Sequence, residues 1–323
     1  MRMLKRLTIA LAASLGLCTG VGAQDWPRQP ITLVVSFAPG GSTDIMARLI
    51  AAKLKDELGR PVLVVNRAGA GGSIGASSVA RAAPDGYTLL LATASATLYQ
   101  VLNRNPPYNM LTDFAPITQI AYQPMVLVVH KDFPAKTLPQ FVKHVRESDG
   151  KLNYGSAGSG STPHLAGALL NYMLGEKMVH VPYKGGSDAA LALRGRQVDM
   201  VMSAFGEAVP HIKSGDFIGL GVTTNTRSPA LPEVPTIASV VSEWPDTATW
   251  HGIMAPANTP PAVLAKLNSA VTKVLKHADV QKLIVDDLGG TIVAGSAEDF
   301  GRMVSADLER TARVVKLAGL TPQ

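Results

Sequence analysis

Apolar positions along the chain follow two alternating spacings. Short apolar runs bounded by Gly, Pro or Asp predict buried strands, and longer segments with an apolar residue every three or four positions predict helices. The first three strands are predicted at residues 31–37, 61–65 and 88–92, with helices between them at residues 45–58 and 74–83. This βαβαβ order is typical of α/β folds with parallel strands.

A second α/β unit follows the first. Its predicted strands lie at residues 125–130, 152–155, 179–181, 200–203 and 218–223, and its predicted helices at residues 138–147 and 164–174. Two further helices are predicted at residues 262–276 and 298–318, with no new strands beside them. We therefore expect these C-terminal helices to pack back on the first unit.

This order predicts two domains, of which the second is inserted into the first. Domain I comprises residues 24–125 and 226–323 in this interpretation, and domain II comprises residues 126–225. The chain then crosses between the domains twice, near residues 117–126 and 223–235, and two crossings form a hinge rather than a loose linker.

The N-terminus has the pattern of a secretory signal peptide. Arg2, Lys5 and Arg6 precede an apolar run at residues 7–17, and the stretch ends in Val-Gly-Ala, with cleavage expected after about Ala23. An apolar run of about 11 residues is too short for the roughly 20 residues that cross a bilayer. We therefore expect residues 1–23 to be removed and the protein to reach the periplasm.

Charge and cysteine content narrow the function further. The leader holds three of the 30 basic residues and none of the 24 acidic ones, so 27 basic residues face 24 acidic ones after its removal. This weak, scattered basic balance argues against nucleic acid and mildly favours anionic ligands. The single cysteine, Cys18, lies in the leader, where Leu17 before it argues against lipidation. The seven histidines show no metal-ligand spacing, so we expect neither a metal nor a cofactor.

The loop after the first predicted strand has anion-binding character. Its sequence FAPGGSTD joins a strand to the start of a helix, where backbone N–H groups lack helical acceptors and the helix dipole is positive. An ordinary helix cap with turn glycines is the alternative interpretation. The candidate ligand-binding residues are Phe37, Pro39, Gly40, Gly41, Ser42, Thr43 and Asp44.

A second loop, SAGSGSTPH at residues 156–164, has the same character and also leads into an apolar helix. Ligands of open α/β sheets lie beyond the carboxyl ends of the strands, so two such loops on different domains would face each other across the hinge. They predict a two-sided clamp that needs no Lys or Arg. The candidates are Ser156, Ala157, Gly158, Ser159, Gly160, Ser161, Thr162 and His164.

Enzymatic alternatives find less support in the same loop. Gly155 and Gly160 have the spacing of a phosphate-binding loop, but Ser161 stands where its lysine is required. A hydrolase that uses Ser161 with His164 remains an alternative hypothesis. Two residues that are three positions apart at a helix start more often take part in capping that helix.

Three shorter motifs add weaker candidates. The glycine-rich residues 66–75 resemble a dinucleotide-binding loop with its third glycine one place late, which favours a simple turn. Residues 91–98 follow a strand and could line the floor of a pocket, and residues 181–189 hold a lysine that is equally well explained as a surface residue. The candidates from these motifs are Thr93, Ala94, Ser95, Lys184 and Gly185.

Taken together, the motifs resemble the Bug family, also called the tripartite tricarboxylate transporter receptor family. The similarity covers nearly the whole chain after the leader, in matching order, in the segments FAPGGSTDIMAR, NRAGAGGSIGA, APDGYTLL, NPPYNMLTDFAPIT, NYGSAGSGSTPHLAG, VPYKGGSDAALAL, VDMVMSAF and GIMAPANTPPAVLAKLN. The resemblance implies a two-domain periplasmic binding protein of the Venus-flytrap type (type II), with two Rossmann-like lobes and a two-strand hinge. It also implies that the two loops hold a small carboxylate or dicarboxylate.

One departure from the family pattern bears on the ligand. The family often carries Asp where this chain has Ser203, and that Asp could meet the ammonium group of an amino acid. Ser203 and Phe205 instead suggest a neutral, partly apolar end of the pocket, which favours an organic or aromatic acid.

We therefore expect a monomeric receptor that delivers a carboxylate to the membrane permease subunits of a tripartite transporter. The alternative is the same fold acting as a sensor that presents its ligand-bound form to a sensor kinase. A hydrolytic enzyme is the third hypothesis. We expect the protein to bind neither a nucleic acid nor a cofactor.

Overall fold

A computed structural model describes residues 26–148 and 150–321 of the chain. The predicted leader, residues 1–23, lies outside the described residues. The fold is α/β, built on one curled mixed sheet. Its strands lie in the order 62–66, 31–35, 88–93, 248–256, 114–130, 200–204, 152–156 and 178–182, and strands 217–222 and 291–292 also pair with strand 114–130.

The first unit follows the predicted βαβαβ order. Its strands are β1 (Ile31–Val35), β2 (Val62–Asn66) and β3 (Thr88–Thr93), and its helices are α1 (Ser42–Leu58), α2 (Ser73–Ala80) and α3 (Ala94–Leu102). Strand β1 pairs in parallel with both β2 and β3, as predicted. Helix α1 ends where Gly59 adopts a left-handed conformation and its N–H bonds back to the Lys55 carbonyl.

The second unit contains four further strands around β4 (Phe114–His130). They are β5 (Leu152–Ser156), β6 (Met178–Pro182), β7 (Met200–Ala204) and β8 (Phe217–Val222), and the helices are α4 (Leu138–Glu147), α5 (Thr162–Met173), α6 (Gly186–Arg194) and α7 (Phe205–Lys213). Strand β5 pairs in parallel with β6 and β7, whereas β7 and β8 pair antiparallel with β4.

The chain then returns to the first unit. The returning elements are β9 (Ala248–Pro256), α8 (Pro261–Val274), a short helix α9 (Ala278–Gln281) that continues as a π-helix to Asp287, β10 (Thr291–Ile292) and α10 (Ala297–Leu317). We call residues 26–123 and 248–321 lobe 1, and residues 126–222 lobe 2. The predicted domain limits, 24–125 with 226–323 and 126–225, remain a prediction.

Strand β4 belongs to both lobes. Its first part pairs with β9 as far as Pro124, and its second part pairs with β7 and β8 from Met125 and Val126 onward. The sequence predicts only residues 125–130 as a strand, and the structure extends that strand to 17 residues. The other crossing is the segment between β8 and β9.

The central strand β9 is absent from the sequence prediction. It lies antiparallel between β3 and β4, and its apolar residues are interrupted by His251 and Gly252. The ring of Phe300 packs directly on Gly252, where a Cβ atom would lie 2.2 Å from that ring. A glycine inside a buried strand here marks the close approach of a helix.

The C-terminal helices only partly follow the prediction. Helix α8 packs on lobe 1, and so does the first half of α10 through Phe300 and Val304. The second half of α10 packs into the core of lobe 2 through Val314 and Val315, which corrects the prediction for this helix. A helix of 21 residues is about 30 Å long, enough to reach across both lobes.

Candidate functional site: a cleft between the lobes

The candidate site lies where the two lobes meet. It is a cleft of about 630 Å³, partly open to solvent, and residues from both lobes line it. Helices α1 and α3 of lobe 1 and helices α5 and α7 of lobe 2 all begin at this cleft. The cleft thus lies beyond the carboxyl ends of the strands, where α/β proteins commonly bind ligands.

Asp44 shapes the first loop rather than facing a ligand with free oxygens. Its carboxylate accepts hydrogen bonds from the N–H of Gly40 (2.9 Å), from Arg48 Nε (2.9 Å) and from Asn66 Nδ2 (2.8 Å). The Arg48 and backbone bonds outweigh desolvation and lower the pKa of Asp44. The loop between β1 and α1 is therefore held by a buried, ionised side chain.

The first turn of α1 is the main donor site of the cleft. Its N-cap residue is Gly41, which has no side chain that could cap the helix. The N–H groups of Thr43 and Asp44 have no acceptor among residues 26–148 and 150–321. The N–H of Ser42 donates to the Glu207 carboxylate of lobe 2. Two amide donors and the helix dipole therefore face the cleft without a protein acceptor.

The second loop is held mostly by its own hydrogen bonds. Ser161 caps α5 by accepting from the His164 N–H (3.3 Å), and the Gly160 N–H donates to His164 Nδ1 (3.3 Å). Ser156 Oγ lies 2.6 Å from His180 Nε2 and accepts from the Gly158 N–H. The Ser161 hydroxyl thus bonds a backbone amide and not the imidazole, so the pair forms a cap rather than a nucleophile with its base.

The histidines behind this loop carry no charge at neutral pH. Burial lowers the pKa of His164, and burial together with the neighbouring His164 ring lowers the pKa of His180 to about 3. Their ring centroids are 4.2 Å apart. Any anion bound here is held by amides and hydroxyls and not by imidazolium groups.

The two lobes are in direct contact around the cleft. The N–H of Thr162 in lobe 2 donates to Ser95 Oγ in lobe 1 (3.0 Å), and the Ser187 hydroxyl donates to the Pro39 carbonyl (3.3 Å). The structure therefore represents the closed arrangement.

Two buried polar atoms in the cleft wall have no protein partner. They are Gln123 Oε1 and His251 Nδ1, whose side chains are 0 % and 2 % exposed. Gln123 Nε2 donates to the Leu288 carbonyl, and His251 Nε2 lies 3.3 Å from the Thr43 hydroxyl. Burial lowers the pKa of His251 to about 4, so its ring is neutral. Unpaired buried polar atoms are costly, and a ligand that pairs with them removes that cost.

The remaining wall is largely apolar. Phe37, Met125, Val201 and Met202 line it, and no Lys or Arg is among the described residues that do so. Within the described chain, no three His, Cys, Asp or Glu side chains are grouped to hold a metal ion, and no helix is long and apolar enough to span a membrane.

Known proteins share both the sequence and this architecture. The family model described as "Tripartite tricarboxylate transporter family receptor" matches residues 46–320. The chain belongs to this receptor family. The family is a class of solute-binding receptors and not of enzymes, and its members are periplasmic.

Two of three similar solved structures carry a bound acid. The periplasmic binding protein BugD is 34 % identical, with a TM-score of 0.89 over 92 % of this chain and 100 % of its own. A Rhodopseudomonas palustris protein with adipate is 35 % identical (TM-score 0.88, 93 % and 100 % covered). The protein MatC of the same organism, with bound malate, is 34 % identical (TM-score 0.85, 90 % and 100 % covered). The two-domain binding-protein fold is thereby confirmed for this receptor.

Ten of the predicted site residues line the cleft of the receptor. They are Phe37, Gly41, Ser42, Thr43, Asp44, Thr93, Ser95, Ala157, Thr162 and Ser203. Their role in binding stays a prediction. The structure does bring residues of both predicted loops and of the segment after β3 together at the cleft. The predicted loop at residues 91–98 is a helix from Ala94, because Thr93 caps it by accepting from the Ser95 N–H.

The other predicted residues lie outside the lining of the cleft, and their role in binding also stays a prediction. They are Pro39, Gly40, Ala94, Ser156, Gly158, Ser159, Gly160, Ser161, His164, Lys184, Gly185 and Phe205. Most residues of the second loop bond to one another, and its glycines contact lobe 1 instead, as Gly160 does at Tyr99. Lys184 is exposed, and Phe205 is fully buried in an apolar cluster of lobe 2.

Twelve further residues of the cleft were not singled out from the sequence, and they lie in the first loop, on β4, β7 and β9, and on α5, α6 and α7. These are Ala38, Gln123, Met125, Pro163, Gly186, Ala189, Val201, Met202, Ala204, Glu207, Thr249 and His251. Gln123, Thr249 and His251 lie on β4 and β9, the strands whose extent the pattern did not predict. The signal that could have found Glu207 is an acidic residue four positions after Ser203 within an otherwise neutral segment.

Proposed function

We propose that this receptor captures a small organic carboxylate or dicarboxylate in the cleft and delivers it to the membrane subunits of a tripartite tricarboxylate-type transporter. The observation that carries the proposal is the first turn of α1, where the N–H groups of Thr43 and Asp44 have no acceptor among the described residues. Such a helix start binds a carboxylate through amides and dipole alone.

Other features of the cleft support the same class of ligand. His251 is neutral, and a proton on Nδ1 would give the ligand a further donor beside Thr43. The apolar wall matches the hydrocarbon part of an organic acid. Adipate and malate, which occupy the two similar receptors, are both carboxylates.

Ligand binding would act by stabilising the closed arrangement. A ligand shifts the balance between open and closed forms only if it binds one of them better. Here its donors come from lobe 1 and its enclosing wall comes from both lobes, so only the closed form provides all contacts. We propose that the receptor is a monomer and that the transporter recognises its closed form. We also propose that the chain is exported and cleaved after about Ala23.

A calorimetric titration tests the proposal. Purified receptor lacking residues 1–23 is titrated with mono- and dicarboxylates of two to eight carbons, with amines and sugars as negative controls. We expect a carboxylate to bind and to raise the melting temperature. Binding of amines or sugars in place of carboxylates would contradict the proposal.

Two variants locate the site. Gly41→Leu places a side chain at the start of α1, at a backbone φ of −82° that any residue adopts. It should abolish binding and leave the fold intact. Gly195→Leu, at the end of α6, serves as the control because Gly195 has a φ of −80° and no atom closer than 3.5 Å to its Cβ position. Unchanged affinity in Gly41→Leu would place the ligand elsewhere.

Uptake separates delivery from sensing. Deletion of the gene should abolish uptake of the carboxylate identified by calorimetry, and the Gly41→Leu variant should not restore it. Normal uptake together with loss of a transcriptional response to the same acid would instead favour the sensor alternative.

A further inference from the structure

A carboxylate of the chain itself occupies part of the cleft. Glu207, in the first turn of α7, reaches from lobe 2 to the start of α1 in lobe 1. Its Oε1 accepts from the Ser42 N–H at 3.0 Å, and its Oε2 accepts from the Ser42 hydroxyl at 2.7 Å. A backbone amide and a hydroxyl at a helix start are the donors that a bound ligand carboxylate would use.

Ser42 is oriented for this contact. The Gly206 N–H donates to Ser42 Oγ at 3.0 Å, so the hydroxyl proton is directed to Glu207. Both carboxyl oxygens therefore accept hydrogen bonds from Ser42, and the pair joins the two lobes.

The space around the Glu207 carboxyl is shaped by two glycines, one from each lobe. A Cβ atom on Gly41 would lie 2.9 Å from Oε1, and a Cβ atom on Gly186 would lie 2.6 Å from it. Gly186 is the first residue of α6. The starts of α1, α6 and α7 thus surround one carboxyl group. Burial raises the pKa of Glu207, and the helix dipoles oppose that rise because they favour a negative charge there.

The donors that remain for a ligand lie further along the cleft. They are the N–H groups of Thr43 and Asp44, joined by His251 Nδ1 in the tautomer that carries its proton there, while Gln123 offers only an unpaired acceptor. This set holds one ligand carboxylate. A second ligand carboxylate near Ser42 would find its donors already used and its place taken by the Glu207 carboxyl group.

We propose that Glu207 is a specificity-determining residue that fills one carboxylate site of the cleft and restricts the cargo to monocarboxylates. The proposal rests on the proposed function, because it presupposes that the cleft binds a carboxylate.

Chain-length pairs of acids test this proposal by calorimetry. Hexanoate is compared with adipate and butyrate with succinate, on the wild-type receptor and on Glu207→Ala, Glu207→Gln and Glu233→Ala. Glu233 is exposed and does not line the cleft, so its variant controls for the loss of one negative charge.

We expect the wild type and Glu233→Ala to bind each monocarboxylate at least tenfold more tightly than its dicarboxylate partner. Glu207→Ala frees the Ser42 donors and removes the charge, so the ratio should fall at least tenfold and dicarboxylate affinity should rise. Glu207→Gln removes the charge but keeps the side-chain volume, so the ratio should change less. Circular dichroism melting curves establish that each variant is folded.

Two results have distinct meanings. A wild-type receptor that binds dicarboxylates as tightly as monocarboxylates, with a ratio unaltered in both Glu207 variants, overturns the role of Glu207 and leaves the proposed function intact. Absence of any carboxylate binding in all four proteins overturns the proposed function itself, and the role of Glu207 with it.

Discussion

Replacing Gly71 by Ala should block closure of the lobes. Gly71 lies in the glycine-rich turn of lobe 1 and meets the second loop of lobe 2. A Cβ atom there would lie 2.3 Å from the Ser159 carbonyl oxygen and 2.9 Å from the Gly160 carbonyl carbon. These are backbone atoms, so no side-chain rotation relieves the overlap, and the lobes must separate by about 1 Å to restore van der Waals contact.

The magnitude follows from two separate effects. The φ of Gly71 is +61°, which costs an alanine about 1 kcal/mol in the open and closed forms alike. The overlap with Ser159 arises only in the closed form and should cost a further ~2–3 kcal/mol, as in overpacked cores. Since 1.4 kcal/mol is a factor of ten, carboxylate affinity should fall about 30- to 100-fold.

A matched control separates the two effects. Gly59 has a φ of +68° and no atom within 4 Å of its Cβ position. Gly59→Ala should therefore lower the melting temperature by a similar amount and leave affinity unchanged. Calorimetry gives the affinities, and small-angle X-ray scattering with saturating ligand shows whether Gly71→Ala stays open. Equal affinities for the two variants would refute the closure argument.

Three further predictions concern charge and burial. Asp307→Ala should destabilise the protein by about 3 kcal/mol in chemical denaturation, because the carboxylate accepts from Trp250 Nε1 at 2.8 Å inside the core; a loss under 1 kcal/mol would contradict this. Carboxylate affinity should increase as pH falls towards 4.5, the ordinary pKa of a glutamate, because burial on closing raises the pKa of Glu207 and closing therefore takes up a proton. A titration in buffers of different ionisation enthalpy measures that uptake, and proton release would refute it. Ser95→Ala removes the acceptor of the hydrogen bond from the Thr162 N–H across the lobes, so it should weaken ligand binding about fivefold with little change in the melting temperature. A large drop in the melting temperature with unaltered affinity would show a purely structural role.

The sign of the pH effect depends on which groups titrate in the cleft. Asp44 has a lowered pKa and stays ionised, and His251 has a pKa of about 4 and stays neutral. Glu207 is the remaining titratable side chain among the described residues that line the cleft. Its raised pKa favours closure below that pKa, and the benefit is lost as pH rises through it.

The sequence pattern predicts the parts of the fold that carry local signals. Helix α1 and its loop are marked by glycines and by Ser-Thr-Asp at the helix start, and helix α4 is predicted at its observed limits, residues 138–147. These features depend on capping and on apolar spacing over a few residues, which the sequence contains directly.

Elements without such signals escape prediction. Helix α7 begins at Phe205 directly after β7, and its cap residue, Ala204, makes no side-chain cap bond. Strand β9 is interrupted by His251 and Gly252, whose fit depends on a helix from elsewhere in the chain. Glu207 and His251 reach the cleft through these two elements, whose positions the local apolar pattern did not predict.

The continuity of β4 has a mechanical consequence. The partners of this strand change between Pro124 and Met125, and proline brings no N–H to the hydrogen-bond ladder at that point. We expect the strand to bend there while both flanking ladders keep their register. Opening of the cleft then bends β4 without breaking it. Each closing therefore returns the two lobes to the same relative position.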